Sequence, residues 1–93
     1  MYIRLSLMTP RAGLETDLLE AQKDLLKFFA EQPGYVDGYL LNVRDGSEVG
    51  RLGIWETEAQ ADQAANSDHV LAVRARITRL IQEGHSERSF LAD

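Results

Sequence analysis

The feature that most constrains this chain is a hydrophobic period that switches repeatedly along it. Apolar and polar residues alternate over positions 2–9, 35–44 and 48–56, and a period of two is typical of strands with one buried face. Over positions 12–31 the apolar residues instead recur every three or four positions, which predicts an amphipathic helix. We therefore expect a sheet packed against helices.

Local signals mark where these elements begin and end. Thr9-Pro10 predicts the start of the first helix, and Gln32-Pro33-Gly34 predicts its end. Asp45-Gly46-Ser47 is a turn signal that joins the second and third strands into a hairpin. Thr57-Glu58-Ala59-Gln60 has the pattern of a capping box, and Ser67-Asp68 predicts a second helix cap.

After the last helix, Gly84 provides a stop and positions 86–91 predict a short final strand. The complete order is β-α-β-β-α-α-β. It predicts an α+β, ferredoxin-like split arrangement, in which a four-stranded antiparallel sheet carries its helices on one face. Residues 1–93 are expected to form one domain.

The two faces of the predicted sheet differ in composition. We assign Ile3, Leu5 and Leu7 to the face that the helices cover. The opposite face then carries Met8, Leu40, Trp55 and Phe90, which is too apolar to stay in water. Stacking of two copies through this face would bury it, and 93 residues form a small core by themselves, so we predict a homodimer.

Composition narrows the classes of partner. Fifteen acidic residues against ten basic ones give a formal charge of −5, which disfavours a nucleic-acid partner. The absence of cysteine excludes disulfides, cysteine-ligated metals and thiol nucleophiles. No apolar run is long enough to predict a membrane span, and the first residues lack the pattern of a signal peptide. The expected location is cytoplasmic.

Three segments, in this order and spacing, carry a family resemblance: Gln32-Pro33-Gly34-Tyr35, Gly53-Ile54-Trp55-Glu56-Thr57 and Ser67-Asp68-His69-Val70. They resemble the antibiotic biosynthesis monooxygenase domain of the dimeric α/β barrel superfamily, over nearly the whole chain. The resemblance implies a ferredoxin-like subunit, a dimer and a pocket for a small organic ligand. It leaves the reaction open, because this superfamily includes cofactor-free oxygenases, haem-degrading enzymes, isomerases, lyases and members without known activity.

The resemblance disfavours one of these reactions. The haem-degrading branch resembles a pattern with an asparagine on the first strand, then a tryptophan and a histidine on the later helices. Here the first strand has no asparagine, and the two helix positions fall at about Ala64 and Arg74. Haem degradation is therefore disfavoured. Cofactor-free oxygenases resemble each other in an asparagine and a tryptophan near the pocket, for which Asn42 and Trp55 are the candidates here. This reading implies no cofactor, and the two histidines of the chain are a weak case for a metal.

Two aromatic residues have both a functional and a structural interpretation. Trp55 would form the wall of a pocket and stack on a planar ligand, or it would fill the dimer core. His69, in the first turn of a helix, would act as a base or orient the substrate, or it would only bind backbone at the helix start.

The arginines of the strands form a second group of candidates. The alternation places Arg4, Arg44 and Arg51 on the face away from the helices, and Arg88 is a further candidate there. They would bind a carboxylate, an enolate or a phenolate. Alternatively, they would pair with acidic residues, within the chain or across the dimer, namely Asp45, Glu48 or Glu87.

These residues lead to three hypotheses. In the first, the protein is a cofactor-independent, monooxygenase-like enzyme for a planar aromatic or quinol-type compound: Trp55 stacks on the substrate, Asn42 and Arg51 hold its oxygens, and His69 is the base. Arg4 and Arg44 contribute to substrate binding. In the second, the same pocket binds a ligand without catalysis, and in the third the domain only dimerises.

Overall fold

The computed structural model describes all of residues 1–93, which form four strands and three helices. The order along the chain is the predicted one. The elements are β1 (Tyr2–Met8), α1 (Glu15–Phe29), β2 (Tyr35–Asn42), β3 (Val49–Trp55), α2 (Glu58–Ala65), α3 (Asp68–Thr78) and β4 (Ser86–Leu91).

The four strands form one antiparallel sheet in the order β2-β3-β1-β4. The predicted hairpin joins β2 to β3, and Gly46 in its turn has a φ of 79°, a conformation that glycine adopts without steric cost. The first strand lies between β3 and the last strand. Because Tyr2 pairs with Trp55, the start of β1 and the end of β3 lie side by side.

Side-chain caps fix the starts of the two shorter helices, as predicted. Thr57 Oγ1 accepts a hydrogen bond from the backbone N–H of Gln60 at 3.2 Å, and Ser67 Oγ accepts one from Val70 at 3.3 Å. The predicted start of the first helix at Thr9-Pro10 was wrong. Thr9 O instead accepts from the N–H of Gln82 at 2.9 Å, so this segment extends the pairing of β1, and α1 begins only at Glu15.

All three helices cover one face of the sheet, and the core lies between the two layers. Leu18 and Leu25 of α1 are fully buried, and Val70, Val73 and Ile77 of α3 pack into the same core. From the sheet, the core receives Tyr2, Met8 and Trp55.

The face assignment made from the sequence was therefore wrong. Met8 and Trp55 face the helices, as do Arg4 and Arg51, whereas Ile3, Leu5 and Leu7 lie on the uncovered face. Both faces are rich in apolar side chains, so alternation reveals two faces without identifying the one that the helices cover. Leu40 pairs with Arg51 and also lies on the helix side, while Phe90 lies on the uncovered face as predicted.

An apolar face nevertheless remains uncovered, although it consists of other residues than predicted. We call it the open face; its apolar residues are Ile3, Leu5, Leu7, Tyr39, Leu41, Leu52, Ile54 and Phe90, and Arg88 lies among them. Each of these side chains is at least partly accessible, and Tyr39 is 51% exposed.

None of the helices is long and apolar enough to cross a membrane.

Candidate functional site

Trp55 ends β3 with its indole ring directed into the space between the sheet and the helices. The side chain is 3% exposed, and it meets Phe29 and Tyr35 edge to face, with ring centroids 5.5 and 5.4 Å away. Edge-to-face contacts of this kind fix ring orientation as well as burying area. The three rings form one rigid aromatic wall.

A glycine leaves space beside this wall. Gly53 lies two residues before Trp55 on the same face of β3, and a Cβ atom at this position would lie 3.2 Å from Trp55 Nε1. That distance is tighter than ordinary van der Waals contact, so any side chain here would press on the indole. The missing side chain thus keeps the space next to the indole N–H open.

Two small cavities lie in this space, one on each side of the Arg51 side chain. The cavity next to Trp55 has a volume of about 40 Å³, and the second, between Met8 and α3, has about 70 Å³. Each has room for only a few water molecules. Arg51, Arg74 and Glu87 line both cavities, and the first is also lined by Arg4, Phe29, Tyr35, Gly53, Trp55 and Val70.

Arg51 is the most unusual group of the site. Its Nη1 donates a 2.6 Å hydrogen bond to Gln22 Oε1, and its guanidinium carbon lies 5.5 Å from the centre of the Phe29 ring. No carboxylate forms an ion pair with it. Burial lowers the pKa of Arg51 to about 10, although the nearby Glu87 charge acts in the opposite direction. The group stays cationic at neutral pH, without direct compensation of its charge.

The second arginine of the cavity, Arg4, is compensated. Its Nη2 donates to Asp62 Oδ1 at 2.7 Å and to the Tyr2 hydroxyl at 2.8 Å. Burial alone would lower the pKa of Arg4, but these two hydrogen bonds raise it above the usual value. The Tyr2 hydroxyl in turn donates to Ser89 Oγ at 2.9 Å, so Arg4 is held in place by a chain of contacts.

At the outer side of both cavities, α3 approaches the edge strand β4 through polar and charged side chains. Arg74 Nη2 lies 3.6 Å from Glu87 Oε1, and His85 Nε2 lies 3.9 Å from the same oxygen. All three side chains are about half exposed, and such pairs contribute little to stability. We call this group the mouth of the site.

The structure brings together three of the seven residues that the sequence nominated, namely Arg4, Arg51 and Trp55. Arg88 pairs with Leu5 and lies on the open face. Asn42 is exposed at the end of β2 and lines a separate groove of about 230 Å³ with Leu40 and Leu41. Arg44 is exposed in the hairpin turn.

His69 also lies outside the cavities. It stacks on Phe28 and contacts Asp24, both of α1. The roles that the sequence suggested for Asn42, Arg44 and His69 therefore stay predictions.

Sequence reasoning missed three lining or supporting residues, Gln22, Tyr35 and Arg74, and it suggested Glu87 only as an acidic partner of the strand arginines. Tyr35 belongs to one of the three segments that carry the family resemblance, but nothing in the sequence indicated its place in the aromatic wall. Burial, together with the charge of Asp37, raises the pKa of Tyr35 above that of a free phenol. For Gln22 there was no local signal, since its contact with Arg51 spans 29 residues of sequence.

No three His, Asp or Glu side chains come close enough together to form a metal-ligating cluster. The chemistry that the site presents is that of three arginines, one carboxylate and an aromatic wall. In a chain with a net charge of −5, this concentration of cations favours an anionic or oxygen-rich ligand.

Comparisons with known proteins agree with this architecture. The family model described as antibiotic biosynthesis monooxygenase matches residues 1–76. A comparison with curated proteins gives no match.

Among solved structures, Rv0793 from Mycobacterium tuberculosis superimposes with a TM-score of 0.90 at 16% identity, over 98% of this chain and 93% of its own. SnoaB, a cofactor-independent oxygenase from Streptomyces nogalater, gives a TM-score of 0.85 at 19% identity, over 99% of this chain and 92% of its own. A conserved protein from Methanosarcina mazei Go1 gives a TM-score of 0.88 at 15% identity, over 97% of this chain and 91% of its own.

Fold and site together define a small ferredoxin-like domain with a cationic, aromatic cavity between its sheet and its helices. The match over residues 1–76 then identifies the family: the chain belongs to the antibiotic biosynthesis monooxygenase family.

Proposed function

We propose that this protein is a homodimeric, cofactor-independent, monooxygenase-like enzyme that acts on a planar aromatic or quinol-type compound beside Trp55. The observation that carries this proposal is the Arg51 guanidinium, which lies against an aromatic wall without a carboxylate partner. A cation in this position stabilises negative charge that develops on a bound oxygen. Family membership and the likeness to SnoaB support the same class of reaction.

The proposed chemistry draws its electrons from the substrate. Loss of a proton from a quinol-type compound gives an electron-rich anion, which reacts with dioxygen. When a ring CH2 becomes a carbonyl, one oxygen atom enters the product and the other leaves as water, so electrons and atoms balance without a further reductant. The task of the protein is to favour the anion and to exclude water from it.

Within this proposal, each residue of the cavity has a role. Trp55, Phe29 and Tyr35 bind the flat face of the ligand. The Trp55 N–H faces the gap at Gly53, where it can donate a hydrogen bond to the ligand. Arg51 holds the anionic oxygen. Arg4, already bound to Asp62, contributes through its field rather than by direct contact.

The roles suggested for Asn42, Arg44 and His69 remain part of the hypothesis, and each requires the ligand to extend beyond the two cavities. Binding also requires side chains to move. Cavities of about 40 and 70 Å³ do not accommodate a multi-ring compound, so a ligand of this class displaces the Arg51 side chain or opens the mouth between Arg74 and Glu87. The contacts at the mouth are weak and half exposed, so opening it costs little free energy.

The dimer in this proposal forms through the open face. Its apolar side chains Ile3, Leu5, Leu7, Leu52 and Ile54 lie on neighbouring strands, and a second copy of the same face would bury them. A cytoplasmic location stays a prediction.

The proposal is tested by oxygen consumption with an anthrone, a compound whose ring CH2 is oxidised to a carbonyl. We expect turnover by the wild type, and a loss of at least about ten-fold in Arg51→Gln and in Trp55→Phe. Arg76→Gln, which changes an exposed arginine of α3 away from the cavities, is the matched control and should retain the wild-type rate. Equal rates in all four proteins would refute the assignment of the site.

A non-catalytic domain is the second candidate, and the small volume of the cavities favours one that only dimerises. A domain that binds the ligand without catalysis predicts quenching of Trp55 fluorescence on addition of the anthrone under nitrogen, without oxygen uptake in air. A purely structural domain predicts neither signal.

A further inference from the structure

The contact between Arg51 and Gln22 distinguishes this site from an ordinary interior ion pair. Gln22 is 2% exposed, and its side-chain oxygen is the only protein acceptor of the Arg51 guanidinium. A guanidinium has five N–H groups, and the other four have no partner in the chain. Arginines are almost never fully buried unless paired, and the one protein acceptor of this partly buried arginine is a neutral amide.

The orientation of the Gln22 amide is itself fixed. Its Nε2 donates to Met8 Sδ at 3.1 Å, so its oxygen is directed to Arg51. The opposite orientation would place two N–H donors against the donors of Arg51. Arg51 is thus held at one point by a group that contributes no negative charge.

The other charges around Arg51 do not cancel it. Glu87 is the one carboxylate that lines both cavities. It lies within 4 Å of Arg74 and His85 at the mouth, and it forms no ion pair with Arg51. Arg4 is bound to Asp62. Three arginines against one glutamate therefore line the cavity beside Trp55.

We infer that Gln22 is a positioning residue that holds Arg51 in place while leaving its charge for the ligand, so that the cavity takes its ligand as a monoanion. A phenolate, an enolate and a carboxylate share this chemistry: one delocalised negative charge on planar oxygen-bearing carbon. The inference rests on the proposed function for the location of the ligand site, and adds the charge of the ligand. The depressed pKa of Arg51 agrees with it, since an interior cation with a full counter-charge would not be destabilised.

Three probes of the same shape test this charge preference: benzoate, benzamide and benzamidine carry a charge of −1, 0 and +1 on one flat ring. Trp55 is the only tryptophan and lines the cavity, so its fluorescence reports binding. We expect the wild type to bind benzoate at least about ten-fold more tightly than benzamide, and benzamidine most weakly.

Gln22→Glu changes the acceptor into a carboxylate of nearly the same shape, which would pair with Arg51. We expect the benzoate affinity to fall at least about ten-fold in this variant, and the preference over benzamide to shrink to within about two-fold. Gln22→Met removes the acceptor and keeps the uncompensated charge. It should retain the order of the three probes with a weaker benzoate affinity, whereas Arg51→Met should lose the order altogether.

The inference is overturned if benzoate does not bind, if benzamide binds as tightly as benzoate to the wild type, or if Gln22→Glu keeps the full preference. Thermal melts confirm that each variant is folded, and the three-probe series on the wild type needs no variant. Charge preference without oxygen uptake would refute the oxygenase and leave this inference standing. Turnover of an anthrone without charge preference would support the oxygenase and refute this inference.

Discussion

His69 stacks on Phe28, with ring centroids 4.5 Å apart and ring planes 12° from parallel, while its Nε2 lies 2.8 Å from Asp24 Oδ1. Both partners belong to α1, and His69 is in the first turn of α3. The imidazole therefore ties the start of one helix to the side of another. This contact accounts for the orientation of His69 away from the cavities.

His69→Phe separates this structural contact from the predicted catalytic role. The phenyl ring keeps the stack and loses only a half-exposed polar contact, so we expect stability to change by less than about 1 kcal/mol. Retention of anthrone turnover in His69→Phe would assign His69 this structural role alone, and His69→Ala should be less stable than His69→Phe. Loss of turnover in a folded His69→Phe protein would instead support a role as base or orienter.

Arg51→Met is expected to stabilise the protein. With its pKa lowered to about 10, Arg51 is protonated in both the folded and the unfolded chain at neutral pH, and the folded state bears the cost of partly burying this charge. This cost is relieved only as the pH rises above about 10, where the unfolded chain binds more protons and stability increases.

At neutral pH the shift corresponds to about 3 kcal/mol, from which about 1–2 kcal/mol is lost because Gln22 loses its partner. The net gain of about 1–2 kcal/mol should raise Tm by several degrees at a fixed protein concentration. Arg76→Met is the control for removal of an exposed charge. A lower Tm in Arg51→Met would mean that Arg51 is compensated in solution.

Gly53→Ala probes the space next to the indole. Its Cβ would lie 3.2 Å from Trp55 Nε1, within the opening that a ligand has to occupy. The backbone φ is not positive, so alanine fits the strand, and we expect stability to change by less than about 1 kcal/mol. Benzoate affinity should fall several-fold, measured by Trp55 fluorescence. An unchanged affinity would place the ligand elsewhere.

Leu52→Glu tests the dimer. Leu52 lies on the open face beside Leu5 and Tyr39, where a carboxylate would be buried against the second copy. We expect light scattering to give the mass of a monomer, against that of a dimer for the wild type. Leu71→Glu changes a leucine of α3 that is 48% exposed on the helix side, and it should remain a dimer. A wild-type monomer would contradict the proposal directly.

The sequence was sufficient where the structure depends on neighbouring residues. The hairpin at Gly46 and the caps at Thr57 and Ser67 were predicted, because each rests on contacts within a few positions. The final strand was predicted from the stop at Gly84, although it pairs with β1 at the other end of the chain. The start of α1 was not, since Thr9 bonds to Gln82 across the chain. Local propensity cannot anticipate a partner so distant in sequence.

The faces of the sheet were misassigned for a related reason. Ile3, Leu5 and Leu7 are more apolar than Tyr2, Arg4 and Ser6, yet the second set faces the helices. In a sheet with two apolar faces, the more apolar face need not be the one that the helices of the same chain cover. Arg4, Arg51 and Trp55 were nevertheless grouped correctly, because a shared face depends on alternation alone.

The location of positive charge inside an acidic protein also affects how fast an anion arrives. With a net charge of −5, the exterior repels an approaching anion, whereas the three arginines of the cavity attract it only at short range. Added salt screens the long-range repulsion and weakens the short-range attraction, so association and dissociation should both become faster as ionic strength rises. At high ionic strength, such a protein exchanges its ligand faster and holds each ligand molecule for a shorter time.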